Sequence, residues 1–408
     1  MKRSSVSASS SETSSLAETA PTWRTAALLY LTVGAGFVAM YLPQPILPVL
    51  SREFGVAAST ASLSISALIV SLAVASLLIG PLSDRWGRKP VIAGCTLLLV
   101  IPSLLCALAP TMSTLLLFRF LQGLLLPGLT AVSVVYIAEE FPAERVSTLL
   151  GGYIAATVAG GLLSRVLSGA VTELFGWRWA FVISAAVVLV MGVLLLRYLP
   201  PSRRFAASAK LTDAFRGMLR HLQNSRLIGG FLVGFSLFFA FIAVFTYLPF
   251  YLERPPFDFS PLQIGLIYVV YAAGIVSSPL AGIIAKRFGR PSVMRIGLAI
   301  VIAANLLTLI PDTRWLIAAL LILTFGNFTA QGVATSYVPT QAARDRGGAT
   351  SLYLFFYYVG GSLGAFLPGL LWPRYGWNGV LGLTVASLGI GLCCAALLCR
   401  ETVSPRST

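Results

Sequence analysis

"GPLSDRWGRKPV", residues 80–91, and "GIIAKRFGRPSV", residues 282–293, decide how this chain is read. Each is a short charged connector between two long apolar runs. Gly80, Arg85, Gly87 and Arg88 match Gly282, Arg287, Gly289 and Arg290 at a constant offset of 202. Two further matches fall at an offset of 200: Gly176-Trp177 with Gly376-Trp377, and Tyr153 and Gly160-Gly161 with Tyr353 and Gly360-Gly361. Matches at three separate places mean that the chain is a duplicated unit.

Composition says what solvent the unit is built for. The chain has 408 residues, is 57% hydrophobic and only 11% charged, with a mean hydropathy of +0.86. A soluble domain carries about 25% charged residues, so lipid must cover most of this surface. The net charge of +15 is spread over short connectors and forms no dense patch, which excludes a nucleic-acid partner. Cys95, Cys106, Cys393, Cys394 and Cys399 lie inside apolar runs without metal-ligand spacing, and His221 is the only histidine. No metal or other cofactor is expected. There is no phosphate-binding G-x-x-x-x-G-K-[ST] loop for an ATP-driven pump. No cluster of His, Asp and Ser suggests an enzyme.

A helix needs roughly 20 apolar residues to cross a bilayer. Twelve segments qualify, near 25–48, 59–80, 90–109, 112–136, 147–171 and 177–199, then 227–252, 262–285, 291–310, 315–337, 347–371 and 377–400. The expected fold is all-α: a polytopic membrane protein of two pseudo-symmetric six-helix bundles, 25–199 and 227–408. Because each copy holds an even number of segments, the copies share one orientation about an axis along the membrane normal. Residues 1–24 are Ser-, Thr- and Ala-rich and read as a disordered tail. Residues 200–226 read as a basic linker with a short amphipathic helix on the membrane surface. Counted by connector, 22 of the 29 Lys and Arg residues fall on the side of the tail, the linker and the 80–91 stretch. That bias places both termini and the linker in the cytoplasm of a bacterial cell, with the chain in its inner membrane.

The opening stretch then joins segments 2 and 3 at the cytoplasmic face. Gly80 and Gly87 suit a tight turn and close helix approach. Asp84, Arg85, Arg88 and Lys89 can pair with acids at neighbouring helix ends or with lipid phosphates. With the degenerate copy Gly282, Arg287, Gly289 and Arg290, they form a gating latch, paired in one conformation and parted in another.

These residues also resemble the signature loop between helices 2 and 3 of the major facilitator superfamily. "RFLQGLLLPG", 119–128, resembles the helix-4 motif of its drug-efflux branches, and "GWRWAF" and "GWNGVL" resemble the starts of helices 6 and 12. "QPILPVLSREFGV", 44–56, and "TSLYLFFYYVGGSLG", 350–364, look like the acriflavine-sensitivity branch of bacterial inner-membrane carriers. The resemblance spans about 25 to 400. It implies two bundles rocking around a central cavity: a secondary transporter that exports a small organic solute, as a monomer among membrane lipids, with protons as a coupling partner. Alternatives are a facilitator or importer of a small organic anion, and a non-transporting sensor. One departure is that segment 5 lacks the proline of the antiporter motif. Gly152, Ala156, Gly160, Ser164 and Ser168 instead fall four apart, a stripe suited to helix packing.

Polar residues inside the apolar segments are the cavity candidates: Arg119 and Gln122 in segment 4, Arg165 in segment 5, Asn327 and Gln331 in segment 10, and Tyr353 and Tyr357 in segment 11. A charge at such depth is costly and functional by default, and Arg119 leads as a substrate contact. None of the fourteen acids sits in mid-segment. Asp84, Glu139 and Glu140 are the candidates for proton coupling, and the missing acid suits an anionic or neutral amphipathic solute better than a cation. The orientation is checked by labelling a cysteine placed at Asp213. It should react with impermeant reagent only after the cells are opened; labelling in intact cells would reverse the topology.

Overall fold

The computed structural model describes residues 22–202, 220–342 and 346–400, and every regular element among them is helical. The helices are α1 (Trp23–Tyr41), α2 (Leu47–Glu53), α3 (Ala58–Trp86), α4 (Arg88–Ala107), α5 (Met112–Glu140), α6 (Ala143–Phe175) and α7 (Trp177–Tyr198) in the first half. The second half has α8 (Ser225–Leu252), α9 (Pro261–Ile267), α10 (Ala272–Phe288), α11 (Arg290–Leu307), α12 (Thr313–Gln341) and α13 (Arg346–Leu397). Among the described residues, ten helices are long and apolar enough to span a membrane, and the bent pair Pro261–Ser277 and Leu280–Phe288 makes an eleventh span. The 52 residues of α13 bend at Gly376, whose φ of 53° and ψ of −134° are not helical, and supply the twelfth. The amphipathic helix expected in the linker falls on 203–219, outside the described residues.

The repeat seen in the sequence is a repeat of backbone geometry. Gly87, Gly176, Gly289 and Gly376 all have positive φ, the region that side chains disfavour. Gly87 ends α3 and starts α4 by itself, and Gly289 does the same between α10 and α11. The 80–91 stretch is therefore helix on both sides of a single glycine, and Gly80 and Gly282 lie within helices and form no turn. Gly160 and Gly360 fix the matching contacts. A Cβ on Gly160 would come within 2.4 Å of the Gly34 carbonyl oxygen in α1, and one on Gly360 within 2.4 Å of the Phe235 carbonyl oxygen in α8. The stripe on α6 packs against α1: Gly152 faces Tyr30, and Ser164 Oγ donates to Val38 O at 2.6 Å.

The first segment is not a continuous helix. The chain leaves α1 at Tyr41, passes through a 3-10 turn at Gln44–Ile46 and re-enters helix as α2. Pro43 has no N–H, so Ala39 loses its usual i+4 donor, and the last carbonyls of α1 need donors from elsewhere. Arg119 supplies them. It is fully buried; Nη1 donates to Ala39 O at 2.8 Å, Nη2 to Met40 O and Nε to Ser64 O of α3 at 2.9 Å. Nη1 also donates to Gln122 Oε1 at 2.6 Å, and Gln122 Nε2 donates to Ser103 Oγ of α4 at 2.8 Å. The negative end of the α1 dipole faces the guanidinium, which accounts for a buried cation here without an acid.

Arg119 thus ties α1, α3 and α5 together and, through Gln122, α4. Arg119→Met should cost about 3 kcal/mol of stability by leaving buried carbonyls without donors. Arg119→Lys should recover only part, since a point charge cannot replace the fork. Unfolding midpoints of purified protein in detergent check this. A Met variant as stable as the parent would remove the capping role.

Candidate functional site

The helices run between two ends. The basic end carries the Gly87 and Gly289 breaks, and the far end carries the α1–α2 turn and the Gly176 and Gly376 breaks. At the far end the halves are fastened. Ser66 and Ser362 share a hydrogen bond of 2.7 Å between their hydroxyls. Ser62 and Tyr247 do the same at 2.8 Å, and Tyr247 Oη also reaches Ala365 O at 2.8 Å. Gln44 Nε2 donates to Thr246 Oγ1 at 3.2 Å. Closer to the surface, Arg52 pairs with Glu253 at 2.5 Å and Leu262 N donates to Glu173 Oε2 at 3.0 Å.

Glycines add close crossings at the same end. A Cβ on Gly169 would lie 2.4 Å from Pro261 O, one on Gly265 2.7 Å from Arg165 O, and one on Gly369 2.6 Å from Ser59 Cα. These are backbone-on-backbone crossings between the halves.

Arg165 sits within the fastened region and is 1% exposed. Its guanidinium carbon lies 4.2 Å from the Tyr41 ring centroid, 4.5 Å from that of Tyr271 and 5.0 Å from that of Tyr268. Tyr41 and Arg165 belong to the first half, and Tyr268 and Tyr271 to the second. Desolvated cation–π contacts contribute about 2 kcal/mol or more, so this cage holds the halves together as well as the charge. Arg165 Nε donates to Gln44 Oε1 at 2.8 Å and Nη1 to Gly161 O. Nη2 is buried without a hydrogen-bond partner, and so is Tyr271 Oη.

Other candidates are brought together within one half. Gln331 Nε2 donates to Tyr357 Oη at 2.7 Å, and the Tyr357 ring stacks on Phe238 at 3.9 Å. Tyr353 Oη accepts from Thr335 Oγ1 at 3.3 Å. Asn327 is buried, and its Oδ1 has no partner. Arg119 and Gln122 differ from expectation. Every nitrogen of Arg119 already donates to the protein, so the leading substrate contact read from sequence is occupied by the end of α1.

At the basic end Arg88 is the centre of the latch residues. It is 5% exposed. Nε and Nη2 grip Glu139 at 3.0 and 2.7 Å, and Nη1 reaches Asp84 and Ser83, each at 2.5 Å. The cluster joins the end of α3, the start of α4 and the end of α5, all in the first half. Glu140 beside it is buried. Arg85 is exposed and Lys89 half-buried. In the second copy Lys286 stands where Asp84 does, Arg290 donates to Thr340 Oγ1 at 3.3 Å, and Arg287 lies over the Phe288 ring. Among the described residues, the ion pairs that Arg88 makes with Asp84 and Glu139 lie in the first half.

Sequence reasoning passed over Tyr41, Gln44, Tyr268 and Tyr271. Gln44 carried a signal: a glutamine between two prolines inside an apolar segment. The tyrosines carried none, because an aromatic in an apolar run reads as packing.

The comparisons with known proteins agree with this architecture. A family model described as Major Facilitator Superfamily matches residues 29–273 and 254–408. The Inner membrane transport protein YnfM of Escherichia coli K12 is 36% identical over 368 residues, covering 90% of this chain and 88% of its own. An uncharacterized MFS-type transporter of Bacillus subtilis 168, YybF, is 33% identical over 387 residues, 94% of this chain and 96% of its own. Among solved structures, a bacterial homolog of the human lysosomal transporter Spinster, inward-facing and unoccupied, superposes with a TM-score of 0.77 at 16% identity. That match covers 91% of this chain and 95% of the other. A mutant form of the nucleoside transporter NupG gives a TM-score of 0.73 at 16% identity, with 92% and 100% covered. The paired six-helix halves, their glycine-marked repeat and these matches together make the chain a membrane transporter that belongs to the Major Facilitator Superfamily.

Proposed function

We propose that this transporter is a secondary carrier of the bacterial inner membrane that exports a small organic solute by alternating access. The observation that carries the reading is the fastening of the far end, where polar ties and glycine crossings join the halves. The excess of Lys and Arg at the basic end makes that end cytoplasmic, so the state described opens to the cytoplasm. Export is supported by the likeness of 119–128 to the helix-4 motif of efflux carriers. The name of the YnfM relative supports the inner membrane. Proton coupling through Asp84 or Glu139 gains no support from the geometry, because Arg88 engages both at the basic end, away from the interface between the halves.

The Arg88 cluster binds α3, α4 and α5 at their cytoplasmic ends, so the first half can rock as one body. Asp84→Asn should leave the protein folded and lower turnover about tenfold, the difference between a charged and a neutral hydrogen bond to Arg88. Wild-type turnover in the folded variant would reduce the cluster to a topology signal.

The alternation itself is tested at Ser66 and Ser362. With the five native cysteines replaced, a Ser66→Cys, Ser362→Cys pair should form a disulfide that stops flux of a solute found by thermal-shift screening. A reductant should restore it. Transport at the parental rate by cross-linked protein would refute alternating access through the far end.

A further inference from the structure

The geometry points to a small organic anion as the solute, its carboxylate received by Arg165 Nη2 and Tyr271 Oη. This rests on the carrier reading above.

Arg119 and Arg165 are equally buried, at 0% and 1% exposure. Arg119 spends every nitrogen on protein acceptors, and its charge faces the end of α1. Arg165 spends two of its three nitrogens and leaves Nη2 without an acceptor. Tyr271, whose ring lies 4.5 Å from that guanidinium carbon, is 3% exposed, and its hydroxyl has no hydrogen-bond partner either. The hydroxyl lies beside the guanidinium and interacts with it, through a contact too long or too bent to satisfy either group as a hydrogen bond. Buried polar atoms are rarely left unpaired, and each one calls for an explanation. Here two sit in one cluster.

Both groups can donate. A guanidinium N–H and a phenol O–H side by side match the two oxygens of a carboxylate, which only accepts. The charge points the same way. The ion pairs place Asp84, Glu139, Glu53 and Glu253 at helix ends with other arginines. Tyrosine rings and dipoles surround Arg165, and an anion would neutralise it where the dielectric is low. A cationic solute would be repelled.

The place suits a carrier. Arg165 comes from the first half and Tyr271 from the second, so a carboxylate held by both would bind one state of the interface better than the other. Only such differential binding lets a solute shift the alternation. The driving force also fits. A membrane potential of about 100 mV, negative inside, favours outward accumulation of a monovalent anion roughly fiftyfold. Export of an anion therefore needs no coupled proton, and no acid lies in mid-segment to carry one.

The test uses purified full-length protein titrated with benzoate and hexanoate and with their uncharged counterparts benzamide and hexanamide, read by thermal stabilisation. The acids should bind roughly ten- to a hundredfold tighter than the amides, and Arg165→Gln should erase the difference. Tyr271→Phe keeps the ring and removes only the unpartnered hydroxyl, so it folds as the parent does. It should cut the preference for acids about fivefold. In proteoliposomes, efflux of the acids should rise with an inside-negative potassium diffusion potential, and that of the amides should not. Equal binding of acids and amides by the parent protein overturns the anion site. So does an undiminished acid preference in Tyr271→Phe, which decides the matter alone if Arg165→Gln does not fold. Voltage-independent flux without preference for acids also overturns it while leaving the carrier reading intact. Failure of the disulfide test would instead remove the carrier reading itself.

Discussion

The break in α1 is the constraint on which the rest depends. Prolines at 43 and 45 end the helix within the span Trp23–Glu53, where no water can satisfy the freed carbonyls. Arg119 reaches from α5 to the carbonyls of Ala39 and Met40, and Ser164 reaches from α6 to that of Val38. These bonds fix where α1 stops against its neighbours. The stop in turn places Tyr41 and Gln44 at the meeting of the halves. Tyr41 forms one wall of the Arg165 cage, and Gln44 joins Arg165 to Thr246 in the second half. A backbone defect near one end of one helix is thereby converted into the interface that closes the molecule on that side.

Duplication supplied the frame, and divergence supplied the chemistry. Close backbone packing is kept in both copies: Gly160 on Gly34, Gly360 on Phe235, and single-glycine breaks at Gly87 and Gly289. Gln44 and Thr246, at near-equivalent positions, bond to each other across the pseudo-symmetry axis. The arginines inside the spans are not kept. At the repeat offset of 200, Arg165 corresponds to Ala365 and Arg119 to Ala319. The second half contributes aromatic surface in their place, with Tyr268 and Tyr271 closing over the first half's arginine. One half presents a charge and the other the rings that cover it, so the interface is electrically asymmetric although the fold is not.

The two ends do different work. The far end is held by many modest contacts: hydroxyl pairs, a glutamine bridge, cation–π contacts and glycine crossings. Each is weak enough to part. At the basic end Arg88 joins three helix ends of the first half through Asp84 and Glu139. Strong, buried, bidentate pairing suits an element that stays rigid, and distributed weak pairing suits a seam that opens, as the proposed alternation requires.

The sequence by itself determined the solvent, the all-helical class and the duplication. These are local: apolar runs of sufficient length, and short charged and glycine motifs repeated at a constant offset. It also showed that two arginines lie in apolar segments without acids. Which arginine is saturated and which keeps a donor in reserve was decided only in three dimensions. Arg119 finds its acceptors 55, 79 and 80 residues away, and Arg165 finds Gln44 at 121. Tyr268 and Tyr271 come from the other half altogether. Neither periodicity nor composition encodes pairings at such separations. They follow from how the two halves dock, and identical side chains with near-identical burial acquire opposite roles from what happens to end beside them.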